Sequence, residues 1–413
     1  MGQGYVGLPL SQLASLGGWT VRGFDVNPGV VTGLNNGVSH VDDISNDEIS
    51  AMLDAGFVAT ADESVIGDAD VIVICVPTPL SEDGSPELKY VKAAASSIGR
   101  FARPGVLVVL ESTTYPGTTE RELLPAILAE GRLSSDEISL AFSPERIDPG
   151  NKQFTLRNTP KIVGGRTEGE TDLAEAFYSH FIDEVIRVKS PREAEMAKLV
   201  ENTYRHVNIA LMNELARFAH ELDIDLWNVI DASATKPFGY QAFYPGPGVG
   251  GHCIPIDPNY LSYEVKRALG VPFRFVELAQ EINGSMPSYV VSRAQNLLND
   301  AGKALNGSRV LLLGVTYKAN IADQRESPAQ PLGQILLSKG AQVSFHDPYV
   351  SHWKVTDEQI LDRQEDLQKA LKEADLVIQV QAHREYSELD IAGLAKRVLD
   401  TRGKLEGTNV QTL

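Results

Sequence analysis

The sequence predicts an α/β protein made of two doubly wound, largely parallel sheets joined by a long central helix. Three observations carry that expectation. Gly2-x-Gly4-x-x-Gly7 opens the chain, and eighteen residues after Gly7 the short strand Thr20-Val-Arg-Gly-Phe-Asp25 ends in an acid. Continuous apolar runs at 70–76, 105–110 and 138–142, and again at 309–314, 341–345 and 374–380, alternate with helical patterns, as strands buried on both faces of a parallel sheet do. Between the two sets, residues 191–222 hold a helical pattern with no internal Gly or Pro. The result is two Rossmann-like halves, with segments expected at 1–188, 189–300 and 301–413.

Each element has its own reason. Glycines in a G-x-G-x-x-G turn permit a tight bend and let a pyrophosphate rest on the helix N-terminus that follows. Asp25 then stands where a carboxylate bonds ribose hydroxyls, which favours NAD over its 2′-phosphorylated form. Such a turn follows a buried strand of about five or six residues, whereas only Met1 precedes it here. The natural protein is therefore expected to begin upstream, with its first strand missing from the chain as given. The run Asp70–Val76 buries Cys75 as core packing and stops at Pro77-Thr-Pro79. Gly105–Leu110 leads into Glu111-Ser-Thr-Thr-Tyr-Pro-Gly-Thr118, and Ile138–Phe142 into Ser143-Pro-Glu-Arg-Ile-Asp-Pro-Gly150. Three strands ending in polar, proline-bearing loops imply one ligand-lined edge, although Thr113 and Glu145 read equally well as loop caps. Ser190 and Pro191 suit the N-cap and first turn of the long helix. On it Lys198 and Asn202 share a face, either as part of a solvated ion-pair surface or turned toward a reactive loop. Residues 273–298 read as a further helix with a break at Gly284–Pro287, and the strands 309–314, 341–345, 374–380 and 397–400 build the second sheet.

The reactive loop is Pro245-Gly-Pro-Gly-Val-Gly-Gly-His-Cys-Ile-Pro-Ile-Asp-Pro258. Its four glycines and four prolines exclude regular structure and let the backbone press close to a ligand. Cys253, with Asp257 four residues on, suits covalent catalysis at a carbonyl. A tight turn with a buried cysteine is the competing reading. A reactive loop between the two halves places the chemistry in an interdomain cleft.

Composition narrows the classes. The formal charge of −18 argues against nucleic-acid or anionic-membrane partners, and no apolar run reaches membrane-helix length. Two cysteines in 413 residues point to a reducing, cytoplasmic compartment rather than a disulfide framework. The eight scattered histidines give no metal-ligand spacing.

Taken together, Gly2-Gln-Gly-Tyr-Val-Gly7, Val76-Pro-Thr-Pro79, Glu111-Ser-Thr-Thr114, Ser143-Pro-Glu145, Lys198-Leu-Val-Glu-Asn202, Gly250-Gly-His-Cys-Ile-Pro-Ile-Asp257, Gly314-Val-Thr-Tyr-Lys318 and Arg325-Glu-Ser-Pro328 form an ordered series. In that series the chain resembles the nucleotide-sugar 6-dehydrogenases, the family of UDP-glucose and UDP-N-acetylhexosamine dehydrogenases. The resemblance covers essentially the whole chain. It implies NAD-dependent oxidation of a sugar C6 alcohol to the carboxylate in two hydride transfers. By that analogy Cys253 is the nucleophile, passing through a thiohemiacetal and a thioester. Lys198 stabilises the oxyanion with Asn202 beside it, and Asp257 orients or deprotonates water, with Glu145 and Thr113 assisting.

For the cofactor, the resemblance implies Gly2, Gly4, Tyr5, Val6, Gly7, Asp25, Val76, Thr78, Ser112, Thr113, Glu145 and Arg325. For the nucleotide-sugar it implies Glu145, Arg146, Ile147, Lys198, Asn202, Gly248, Gly250, Cys253, Lys318 and Arg402, with Tyr244 and Tyr317 as lining residues. Lys236 is a candidate cation for a neighbouring subunit's site, and the long helix suggests a homodimer or larger homo-oligomer. The loops at 111–117 and 143–150 look like those of the N-acetylglucosamine-oxidising branch. Ile256 stands where glucose enzymes often carry lysine. A dTDP- or GDP-sugar substrate, a single-oxidation β-hydroxyacid-type dehydrogenase and a non-catalytic NAD-sensing protein are the alternatives.

Overall fold

The computed structural model describes residues 1–41, 43–81, 85–148, 151, 153–251 and 254–413. Its two compact units are Met1–Glu201 with Asn259–Val271, and Asn202–Pro258 with Pro272–Leu413. Of residues 189–300, 189–201 and 259–271 belong to the first and 202–258 and 272–300 to the second. No helix among the described residues is long and apolar enough to cross a membrane.

The first unit contains α1 (Gly7–Leu16), β1 (Arg22–Phe24), α2 (Pro28–Asn35), α3 (Asn46–Asp54), β2 (Val58–Thr60), β3 (Val71–Ile74), α4 (Lys89–Phe101), β4 (Val106–Leu110), α5 (Leu124–Leu128), β5 (Ile138–Phe142), β6 (Lys161–Gly165), α6 (Glu168–Tyr178) and β7 (Val185–Arg187). A sheet of order β3-β4-β5-β6-β7 forms its centre, and β1 pairs with β2 separately. Strands β3, β4 and β5 are parallel, whereas β6 runs antiparallel to β5 with Phe142 opposite Gly164 and Ala141 opposite Gly165. All five residues of β4 are buried because alternate side chains go to opposite faces. Val108 and Leu110 meet Val91, Ile98 and Ile127 of α4 and α5, while Leu107 and Val109 meet Leu10, Ala174 and Tyr178 of α1 and α6. Burying each such aliphatic side chain is worth roughly 1.5–3 kcal/mol.

Met1 lies between the two sets of strands. Its ammonium donates to the Val73 carbonyl at 2.7 Å. Its carbonyl accepts from Cys75 N–H at 2.8 Å, and Gly2 N–H donates to the Phe24 carbonyl at 2.8 Å. Met1 and Gly2 together therefore satisfy backbone groups of β3 and β1 at this level.

Two helices have residues in both units: α7 (Pro191–Glu221) and α9 (Asp257–Leu269). At the start of α7, Ser190 Oγ accepts from Glu193 N–H at 3.3 Å, the expected cap, with Pro191 in the first turn. The second unit adds α8 (Leu226–Ala234), α10 (Arg274–Asp300), β8 (Arg309–Leu313), α11 (Ala329–Ser338), β9 (Gln342–His346), β10 (His352–Lys354), β11 (Ile360–Asp362), α12 (Leu367–Glu373), β12 (Leu376–Gln379), α13 (Ile391–Leu394), β13 (Val398–Asp400) and β14 (Val410–Thr412). Its main sheet has the order β14-β13-β12-β8-β9 and is wholly parallel; β10 and β11 form a hairpin.

One expected feature is corrected. The break at Gly284–Pro287 is absent, and α10 runs unbroken through a buried Pro287. Proline removes only the bond to the carbonyl four residues back. That carbonyl, of Asn283, faces Gly248, 3.4 Å from where a Cβ would stand. The proline is tolerated where the helix wall meets a glycine loop.

Candidate active site

At the first unit's N-terminal turn, Gly2 takes a φ of +84° that side chains disfavour. A Cβ on Gly7 would stand 1.8 Å from the Gly2 carbonyl oxygen, whereas one on Gly4 would meet nothing within 4 Å. Gly7 thus lets the turn close onto α1, and Gly4 leaves its outer face open to a ligand. Tyr5, exposed, and Val6 fill the turn. Asp25 ends β1 and accepts from Gln3 N–H at 2.8 Å and Asn27 N–H at 2.9 Å. These residues fit a dinucleotide: an open glycine turn, a helix N-terminus for the pyrophosphate and a carboxylate with lone pairs to spare for ribose.

The same sheet edge carries the next group. Ser112 Oγ donates to the Val76 carbonyl at 2.7 Å, and the Tyr260 hydroxyl donates to the Thr78 carbonyl. The first bond ties the ends of β3 and β4 together beside half-buried Thr113, and the second ties α9 to the segment after β3. Glu145, after β5, is 8% exposed, and its carboxylate accepts from Ile147 N–H. Lys198 on α7, itself buried, donates to the Glu145 carbonyl oxygen. Arg146 is committed to α7: its guanidinium pairs with Glu201 at 2.8 Å and donates to the Pro160 carbonyl at 2.5 Å.

Beneath Glu145 lies a residue that sequence reasoning missed. Lys161, first in β6 and 2% exposed, sets its ammonium 3.0 Å from Glu111 and 3.9 Å from Glu145. The Tyr178 hydroxyl donates to the other Glu111 oxygen at 2.5 Å, and the ammonium sits 5.2 Å from the Tyr178 ring centre. Burial pushes the Glu145 carboxyl above its ordinary value, against the lowering effect of Lys161. Burial also works against the Lys161 charge, but Glu111 and Glu145 together outweigh it and hold the ammonium above its usual value. The only signal in the sequence was a lysine heading the otherwise apolar and glycine run Lys161-Ile-Val-Gly-Gly165. The thiol of Cys75 is pushed well up by burial and by Glu111, as suits packing rather than reaction.

In the second unit, Asn202 Nδ2 donates to Asp257 Oδ2 at 2.5 Å, and Asp257, first in α9, is 3% exposed. Two expected catalytic residues thus meet. Cys253, with His252, lies outside the described residues. The glycine loop is anchored by Asn213, whose Oδ1 accepts from Gly246 N–H at 2.8 Å. A Cβ on Gly250 would stand 2.6 Å from the Glu326 carbonyl and 2.9 Å from Tyr317 Cβ; one on Gly246 would stand 3.0 Å from the Arg402 guanidinium. Gly248 takes a φ of +134°.

The loop can therefore lie flat against Tyr317 and Arg402 only because the positions that meet them, Gly246, Gly250 and Gly251, are glycines. The Tyr317 carbonyl accepts from Gln381, and the Lys318 carbonyl from Thr316 Oγ1, which fixes the path of that loop. Arg402 Nε donates to the Val380 carbonyl at 2.8 Å, and burial lowers its pKa to about 10, so it stays cationic at neutral pH. The Tyr244 hydroxyl donates to Asp231 of α8 at 2.7 Å. Arg325 forks onto Asp323, with Nε 2.9 Å from one carboxylate oxygen.

Three family models describe the chain end to end: the NAD binding, central and UDP binding domains of the UDP-glucose/GDP-mannose dehydrogenase family match residues 1–182, 192–285 and 311–411. The chain is 34% identical over 424 residues to the UDP-N-acetyl-D-mannosamine dehydrogenase of Methanocaldococcus jannaschii, covering 98% of this chain and 92% of that one. It is also 34% identical over 354 residues to a UDP-N-acetyl-D-glucosamine 6-dehydrogenase of Pseudomonas aeruginosa, covering 85% and 82%. The solved UDP-N-acetylmannosamine dehydrogenase of Pyrococcus horikoshii superposes with a TM-score of 0.90 at 30% identity, over 100% of this chain and 97% of that one. With the glycine turn, the carboxylate edge and the loop over Arg402 all in the matched domains, the chain belongs to the UDP-glucose/GDP-mannose dehydrogenase family and is an NAD-dependent oxidoreductase of nucleotide sugars.

Proposed function

We propose that the chain oxidises C6 of a UDP-N-acetylhexosamine, the manno or gluco epimer, to the carboxylate in two steps. The observation that carries this reading is the Asn202–Asp257 hydrogen bond, which joins the long helix to the residue four positions after Cys253. Bound NAD takes up the hydride of each oxidation. Cys253 adds through sulfur to the C6 aldehyde, giving a thiohemiacetal; loss of hydride from C6 makes the thioester. Water then displaces the sulfur, giving the carboxylate, the regenerated Cys253 thiol and one proton. Lys198 and Asn202 donate to the oxyanion, and Asp257 and Glu145, with Thr113, take protons from the alcohol and from water.

Lys318, Arg402, Tyr317 and the 246–251 loop bind the UDP moiety, with Arg146, Ile147 and Tyr244 toward the sugar. Gly2 to Gly7, Asp25, Val76, Thr78, Ser112 and Arg325 serve NAD. The segments 1–188, 189–300 and 301–413 divide cofactor, catalytic and nucleotide-sugar functions. Support for the N-acetylated sugar comes from the relatives named above and from the 111–117 and 143–150 loops.

The same reading makes the protein a cytoplasmic homodimer. Tyr204, Leu211, Leu215 and Phe218 are spaced along one face of α7, with Leu222 just past its end, and are 37–68% exposed, an apolar stripe that a second copy would cover.

The test is to count NADH formed per sugar consumed, offering UDP-N-acetylmannosamine, UDP-N-acetylglucosamine, UDP-glucose and GDP-mannose separately. About two per sugar with an N-acetylhexosamine is expected from the two oxidations, and Cys253→Ala should abolish acid formation. One NADH per sugar, or unchanged acid from C253A, overturns the thioester route; turnover of UDP-glucose alone overturns the sugar assignment.

A further inference from the structure

Among the buried ionisable side chains of the first unit to which the proposed route gives no task is Lys161. Lys161 is enclosed on all sides at the sheet edge that carries Glu145. Its place follows from strand pairing: β6 is antiparallel to β5, and the register of Phe142 opposite Gly164 projects Lys161 to a point opposite Glu145. The lysine is therefore held by backbone pairing, and its ammonium reaches both carboxylates, 3.0 Å from Glu111 and 3.9 Å from Glu145. Tyr178 occupies the second oxygen of Glu111, so that carboxylate is fixed on its far side and cannot turn away from the ammonium.

We propose that Lys161 is a positioning residue for the reaction: anchored by Glu111 and Tyr178, its ammonium faces the Glu145 carboxylate at the sheet edge across 3.9 Å and favours its charged form, the form that accepts a proton. This rests on the reading of Glu145 as a proton acceptor. The charged and titratable groups around Glu145 are Glu111 after β4, Lys161 on β6 and Lys198 on α7, with Tyr178 on α6 and Cys75 after β3 in the same cluster. Lys198 meets Glu145 through the backbone carbonyl. Among these groups Lys161 is the cation that the carboxylate faces most directly, and Glu111 competes for it. Burial acts first on such a carboxylate, and the balance between the shared cation and the like charge then shifts its protonation in either direction.

Three variants of the full-length protein test this by pH profiles of kcat/KM, NADH release being the readout. Glu111→Gln gives Lys161 to Glu145 alone, so the acid limb should move to lower pH by about half a unit or more. The charge-neutral pair Glu111→Gln with Lys161→Met should move it upward by about one unit and lower kcat/KM by about tenfold, with KM for the nucleotide-sugar changed less than twofold. Unmoved acid limbs in both variants, with melting temperatures showing them folded, overturn the proposal. Should the double variant fail to fold, E111Q alone decides, because its expected shift is opposite in sign to a general loss of structure. Glu145→Gln separates the two readings. A fall of about a hundredfold or more there, beside unmoved profiles in the other variants, removes Lys161 and leaves Glu145 in place. Wild-type behaviour of E145Q removes both.

Discussion

The two units each carry a cation at the edge of their main sheet, Lys161 in the first and Arg402 in the second, and they keep different company. Lys161 is 2% exposed and hemmed in by two carboxylates, so its charge is met from within the cluster. Arg402 is half-buried beside Asp400, but Asp400 is already occupied: its oxygens accept N–H bonds from Arg402 at 2.8 Å, Lys404 at 2.5 Å and Leu405 at 2.7 Å. The guanidinium is left to face the Gly246 loop. A cation neutralised from within suits proton traffic, where a charge must be held but not given to a ligand. A cation whose own carboxylate is spent on the backbone suits an anionic ligand such as a diphosphate.

The largest expected effect breaks the first arrangement. Lys161→Met leaves Glu111 and Glu145 buried without their counter-charge, and removing one partner of a buried pair costs about 3–5 kcal/mol. A single substitution at β6 should therefore lower the melting temperature by roughly ten degrees, on the usual scale of a few degrees per kcal/mol for units of this size. A loss of under about 1 kcal/mol would mean that water or a proton compensates the pair. Arg402→Met should do the reverse. Its stability cost should stay under about 2 kcal/mol, while KM for the nucleotide-sugar rises by about ten- to a hundredfold with kcat changed by less than about threefold, the signature of lost binding held equally in ground and transition states. A collapse of kcat with KM intact would move Arg402 out of the binding role.

That contrast also marks how far the sequence could be read. Strands that present five or so apolar residues in a row, such as 106–110 and 309–313, were legible because a two-faced buried strand has no other composition. β6 was not, since it starts on a lysine and ends on two glycines, and its lysine is paid for only by carboxylates 16 and 50 residues away. The short edge strands β2, β7 and β14 and the hairpin β10–β11, three residues each, depend on neighbours rather than on their own pattern. Helix spacing put Lys198 and Asn202 on one face, but only the folded chain gives each its acceptor, a backbone carbonyl for one and Asp257 for the other. Pro287 misled for a local reason: one missing N–H does not end a helix whose freed carbonyl faces a glycine loop.

A smaller effect separates the two units by pH. In the first, Glu195 on α7 is fully buried and accepts from Thr119 N–H at 2.8 Å, from its hydroxyl at 2.6 Å, and from Gly117 N–H. Burial outweighs those donors and raises its pKa to about 7 from an ordinary 4.5. The native state then binds more protons than the unfolded chain across that window, so this contribution to stability is whole below about 4.5 and is lost as pH rises toward 7. In the second unit His206, 2% exposed, is lowered by burial to about 4 from an ordinary 6.5. Here the unfolded chain binds more protons, so stability is lost as pH falls from about 6.5 toward 4. Melting temperatures of wild type, Glu195→Gln and His206→Gln between pH 4 and 8 should show the advantage of wild type over E195Q shrinking, and that over H206Q growing, as pH rises. Each change should amount to a few degrees. Flat differences for either variant would mean that water reaches that side chain in solution and that its unit carries no buried titrating group at that position.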